Sequence, residues 1–182
     1  MKQTNFKTKQ ILLSVILVLF VGTLKMNAQQ TAWGTEMRIG NRVYLLDMFN
    51  YYLVNKANKI TNQEINDEGC IVSFDNSKES VKAWEEHFKS VFSKERAKEL
   101  NFRVSFRNIC DATGRVKEVE IYFRNRENFE KFTLSEINAM EDAAKKHQYK
   151  VKAFLRCEGN IKYFTIVQPL NPYLLYFEKP KE

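Results

Sequence analysis

The chain has 182 residues, 29 basic against 22 acidic, and a formal net charge of +7. Lys2, Lys7, Lys9 and Lys25 fall in the first 28 residues, which hold no acid, so the remaining 154 carry a net charge of only +3. That balance gives no reason to expect a nucleic-acid or acidic-membrane partner held by charge, while 154 residues suffice for one domain with its own core.

The N-terminus is the best-marked segment. Lysines precede an unbroken apolar run, Ile11 to Leu24, which ends at Met26-Asn27-Ala28. Charge, then apolar run, then a small residue is the build of a secretory signal peptide. A run of 14 residues falls short of the roughly 20 needed to span a bilayer. The expectation is a signal peptide over 1–28, a mature chain starting at Gln29, and a single α+β domain over 29–182. No cysteine precedes Cys70, which excludes a lipid anchor on the new N-terminus. The product is expected in a periplasm or outside the cell, with no stable membrane anchor after processing.

Glu36 to Leu45 reads as a hairpin, with Gly40-Asn41 as a type II′ turn and Met37 opposite Tyr44. Leu45 to Val54 is apolar and aromatic and fits strand or helix; Asn55 to Gly69 reads as a polar loop. Residues 70–75 read as a short buried strand. Asn76 and Glu79 stand at capping-box spacing. Val81, Trp84, Phe88, Val91 and Phe92 then form one helical stripe, and Ser93 restarts a short turn to Leu100. Phe102, Val104 and Phe106 alternate with Arg103, Ser105 and Arg107; Val119, Ile121 and Phe123 alternate with Glu118, Glu120 and Tyr122. Residues 111–114 form the turn between them, with Gly114 placed for positive φ. Thr133 and Glu136 make a capping box flanked by the Phe132–Ile137 staple. Ile137, Met140 and Ala144 line that helix's inner face, and Lys145, Lys146 and His147 close it. Residues 149–157 and 161–168 read as a hairpin turning on Gly159-Asn160, with Leu155 facing Phe164 and Ala153 facing Ile166. The order predicts an antiparallel sheet with two helices on one face, a split βαβ arrangement, plus the N-terminal hairpin.

Little chemistry is written in the motifs. His87 and His147 lack a ligand-type residue three or four positions away on their helices, so neither forms a local metal pair. Glu64, Asn66, Glu68, Gly69 and Asp75 follow calcium-loop spacing, but Glu and Asp stand exchanged at its two ends and 71–74 reads as strand. No G-x-S-x-G elbow, P-loop or dinucleotide fingerprint occurs. Glu85 and Glu86 point away from the stripe that buries Trp84. Arg103 and Arg107 face Glu118 and Glu120 across the hairpin, which favours ion pairing over an anionic ligand. No catalytic residue, metal or cofactor is expected.

Residues 102–168 resemble the TonB C-terminal domain. The likeness rests on Asp111, Gly114, Val116, Val119 and Ile121 in the hairpin turn and second strand, followed by a helix and a strand. It departs at Asn125-Arg126-Glu127-Asn128, where that family has a small-residue loop, and it implies the fold rather than an energy-transducing role. The chain as a whole resembles small uncharacterised secreted proteins of gut bacteria, which implies location and class.

Three cysteines allow at most one internal bridge. In the split βαβ order, strands 70–75 and 149–157 are antiparallel neighbours, which brings Cys70 and Cys157 to one end of the sheet and leaves Cys110 at the other. Bridging needs Cα atoms within roughly 7 Å, so the three cysteines are either buried small hydrophobes or include one bridge, and any such bridge is expected between Cys70 and Cys157, with Cys110 left a buried free thiol. Two function classes stand. One is an exported, non-catalytic binding or interaction module for a protein or small-molecule partner, with no nucleic acid involved. The other is a small periplasmic hydrolase whose site is assembled only in the tertiary structure, which requires a pocket with a carboxylate or cysteine beside His87 or His147.

Overall fold

Gly40 takes φ +60°, which an L side chain rarely adopts, and the chain reverses there with Met37 paired to Tyr44. This hairpin is part of the main sheet rather than standing beside it. The computed structural model describes residues 29–31, 34–47, 49–65, 70–157 and 159–178. The expected signal segment, and Asn66, Glu68 and Gly69 of the calcium-like stretch, lie outside them.

The strands are β1 (Gln29–Thr31), β2 (Gly34–Ile39), β3 (Arg42–Asp47), β4 (Tyr52–Asn55), β5 (Ile71–Phe74), β6 (Val104–Asp111), β7 (Val116–Phe123), β8 (Val151–Leu155) and β9 (Tyr163–Leu170). The helices are α1 (Lys78–Glu86), α2 (Lys94–Glu99), α3 (Arg126–Glu130) and α4 (Leu134–Lys145). Seven strands form one antiparallel sheet in the order β1-β2-β3-β4-β7-β6-β9, and β5 pairs with β8 in a separate ribbon. The chain is therefore α+β with a mostly antiparallel sheet and, among the described residues, four helices.

Each helix starts where a short polar side chain accepts a backbone N–H of the first turn: Ser77, Ser93, Asn125 and Thr133. The Thr133–Glu136 capping box is complete. The first helix differs from expectation by one residue: Ser77, not Asn76, accepts from the Ser80 N–H.

One face of the sheet is covered. Phe106, Ile121, Leu53, Tyr44 and Phe164 are buried there with Trp84, Phe88 and Phe92 of the α1 stripe and Ile137 and Met140 of α4. Phe123 shares this core, with Phe102 packed against it. The β5–β8 ribbon belongs to the same cover, since the Phe154 ring meets Phe164 at 5.6 Å and Phe74 meets Tyr149 at 5.6 Å. The hairpin turn is fastened to this layer at Gly114. A Cβ there would lie 2.1 Å from the Tyr149 carbonyl oxygen, and the Tyr149 N–H donates to the Gly114 carbonyl at 2.9 Å.

Two expectations are corrected. Residues 149–157 and 161–168 do not pair with each other: β8 binds β5, and β9 binds β6 from Val104↔Leu170 to Asp111↔Tyr163. The Gly-Asn turn between them is a corner rather than a hairpin, because β9 satisfies its backbone groups on the long β6 edge. The split βαβ order also gives way. The hairpin β6–β7 is flanked by β9 and β4, while 71–74 leaves the main sheet. The ambiguous stretch 45–54 resolves as β3 and β4 around a turn held by Asp47, whose side chain accepts from the backbone of Phe49 and Asn50 and from the Asn50 amide.

Candidate functional site

Among the described residues, the second face of the main sheet is only partly covered. At one end the 56–65 loop crosses it. The Lys59 and Ile60 N–H groups donate to the Glu118 carboxylate, the Asn58 amide donates to the Val119 carbonyl, and Ile65 is buried beside Tyr163. Beyond the loop the face opens into a depression of about 560 Å³ lined by Asn50, Tyr52, Val54, Asn62, Arg107, Glu120 and Tyr122.

The strand period builds this site. Residues 118, 120 and 122 of β7 point away from the core that takes 119, 121 and 123. Register does the rest: Tyr52 pairs with Tyr122 and Arg107 with Glu120. The two tyrosine rings stack with centroids 5.3 Å apart, 20° from parallel. Arg107 donates to both Glu120 oxygens at 3.4 Å, and the Tyr122 hydroxyl donates to Glu120 at 2.9 Å. Burial and the neighbouring Glu120 push the Tyr122 hydroxyl upward, and burial, Asp47 and Glu120 do the same to Tyr52. Both phenols therefore stay protonated at neutral pH as donors. The expected Arg107–Glu120 ion pair is present, whereas Arg103 is exposed.

The histidines meet each other, which their sequence positions did not suggest. His87 follows α1 and His147 follows α4, and their rings lie 5.5 Å apart. His147 is 5 % exposed and packed against Trp84 at 5.4 Å and Tyr149 at 4.5 Å. Burial, with His87 beside it, lowers its pKa to about 4, so it is a neutral core imidazole at pH 7. His87, half-buried, is lowered by burial and by Lys146. The nearby carboxylate, Glu86, is exposed and paired with Lys89 at 2.6 Å. Asn108 donates to the Tyr149 hydroxyl at 2.8 Å. Neither histidine lines the tyrosine depression, nor a second one of about 640 Å³ between the hairpin turn and the ribbon, around Thr113, Gln148 and Lys152.

Cys70 and Cys157 are joined, S–S 2.06 Å, at the end of the ribbon where Ile71 pairs with Leu155; Cys110 is buried and free. Burial pushes the Cys110 thiol up to about 12, far from a reactive thiolate. No cluster of three or more metal-type ligands occurs among the described residues.

A second polar island pins the N-terminal hairpin to α4. Glu141 is 1 % exposed and accepts from the Tyr44 hydroxyl, from the Asn55 amide at 3.0 Å, from Arg42 at 3.4 Å and from Lys145 at 2.5 Å. Its partners come from three elements, so it reads as structural. Sequence reasoning overlooked both this island and the tyrosine depression. The usable signal for the latter was Tyr122, an aromatic residue on the polar side of an alternating strand.

No family model matches the chain, so the TonB C-terminal likeness is not shown, and no curated protein matches it either. Among solved structures it is similar to a DUF5043 family protein from Bacteroides uniformis, with a TM-score of 0.57 and 17 % identity over 81 % of this chain and 97 % of that one. A resemblance to uncharacterised proteins of gut bacteria fits this neighbour. At that identity the likeness establishes a shared fold, an α+β domain.

Proposed function

We propose that the chain is an exported binding module that takes its ligand on the open face of the seven-stranded sheet and performs no chemistry on it. The observation that carries this is the Tyr52–Tyr122 depression, aromatic and polar at once, on a face that the helices and the ribbon leave uncovered. Export is supported by the build of the first 28 residues and by the Cys70–Cys157 disulfide, a bond that persists in oxidising compartments. The hydrolase alternative has less support. A general base or nucleophile must reach a cleft, yet His147 is buried behind Trp84 and Tyr149 and the Cys110 thiol is held protonated.

The test is an amide chemical-shift map of the ¹⁵N-labelled mature chain with a cocktail of small soluble fragments. Perturbations should cluster at 50–54, 62, 105–107 and 120–122. A cluster at 87 and 147, or rapid labelling of Cys110 by a thiol reagent in the folded protein, would sink the reading. Export is checked by the intact mass of the periplasmic product. A chain starting within two residues of Gln29 is expected, and full-length protein in the membrane fraction contradicts it.

A further inference from the structure

We propose that the ligand of the open face is an uncharged saccharide, an inference that rests on reading that face as the binding site. Two features select the class. The first is the tyrosine pair. An aromatic ring presents an apolar, electron-rich face. The C–H-bearing face of a sugar ring is apolar, with weakly positive hydrogens, and settles against it. Tyr52 and Tyr122, whose rings stack on each other 5.3 Å apart, are both part-buried in the lining of the depression and leave their outward faces and edges to meet such a surface.

The second feature is the balance of polar groups around the pair. A sugar hydroxyl both donates and accepts. The lining supplies the tyrosine hydroxyls, the Glu120 carboxylate as acceptor, and the side-chain amides of Asn50 and Asn62, which do both. Formal charge works against ionic ligands. Among the described residues of the lining the Arg107 guanidinium is paired with the Glu120 carboxylate, and Asp47 adds a second negative charge acting on Tyr52. Among these described groups an anion meets two carboxylates and a guanidinium already engaged, while a cation finds Glu120 taken by Arg107 and Asp47 already accepting from the Phe49 and Asn50 N–H groups and the Asn50 amide. A neutral polyhydroxyl ligand meets neither penalty. The volume, about 560 Å³, falls within the roughly 300–1,000 Å³ of small-molecule clefts. The face also continues past it, because the neighbour of Arg107 on β9 is Val167, 62 % exposed. A sugar chain longer than one ring can therefore run on across the sheet.

The experiment titrates the labelled mature chain with maltohexaose, cellohexaose and mannohexaose. An oligogalacturonate serves as the charged counterpart and a neutral alanine-rich peptide as the extended-chain competitor. At least one neutral sugar should shift Tyr52, Val54, Arg107, Glu120 and Tyr122, and bind about tenfold or more tighter than the uronate. Tyr122→Ala should weaken it by about tenfold or more. Tyr122→Phe, which keeps the ring and the fold, should stay within about threefold. If the peptide, the uronate or the fragment cocktail shifts these residues and none of the neutral sugars does, the saccharide assignment is wrong and the open-face reading survives. If nothing perturbs the face, both fail.

Discussion

Phe106 and Arg107 are neighbours on one strand and live in different solvents. Phe106 is fully buried, 5.1 Å from the Phe88 ring and 5.5 Å from Trp84. Arg107 turns to the other side and pairs with Glu120 beside two stacked tyrosines. The same contrast holds on β7 between Ile121 and Tyr122. The covered face is under helices and a ribbon and derives its stability from excluded water. The open face carries part-buried polar and aromatic groups with no apolar cover above them and contributes less, so its residues can be spent on recognition. Stability and binding are thus separated by the pleat of the strand, and substitutions can test the separation.

The largest effect belongs to the covered face. Phe106→Ala should lower unfolding free energy by about 3–5 kcal/mol, read as a shift of the urea midpoint at constant slope. A loss comparable to that of an exposed site would mean the cover is loose. Next is the staple at the rim of that cover. Replacing both Cys70 and Cys157 by Ala opens a link spanning 87 positions and should cost about 2–4 kcal/mol. An unchanged midpoint under reducing conditions would show that the ribbon docks without it.

The third prediction uses pH. His147 is held neutral in the fold with a pKa of about 4, against 6.5 in the unfolded chain. Below pH 6.5 the unfolded state binds more protons, so stability falls as pH drops from about 6.5 to about 4, by about 3 kcal/mol in all. His87, displaced in the same direction, adds to the loss. His147→Gln should flatten most of that slope; an unaltered slope in the variant would assign the acid sensitivity elsewhere. The smallest effect belongs to the open face. Tyr122→Ala should cost about 0.5–1.5 kcal/mol, the worth of one aromatic pair. A loss as large as that at Phe106 would mean the two faces are not energetically separate.

Local periodicity made much of this molecule readable in advance. The turn at Gly40, the caps at Ser93 and Thr133, the stripe through Trp84 and Phe88, and the alternation along β6 and β7 are short-range consequences of sterics and hydrogen bonding. They hold whatever the rest of the chain does. The pairing of distant strands is different. Residues 149–157 and 161–168 have hairpin composition, yet β8 goes to β5 and β9 to β6, because strand partners are chosen by which edge buries more. Tyr52 and Tyr122 are 70 positions apart and become a pair only through the β4–β7 register. His87 and His147 likewise meet only because the segments that follow two helices converge over the same sheet. What the amino-acid order determined by itself was most of the elements, though not β1, β4 or α3, with their apolar faces, and the build of the N-terminal segment. The tertiary structure decided which face stayed open and which side chains it gathered there, since those depend on contacts that no local window contains.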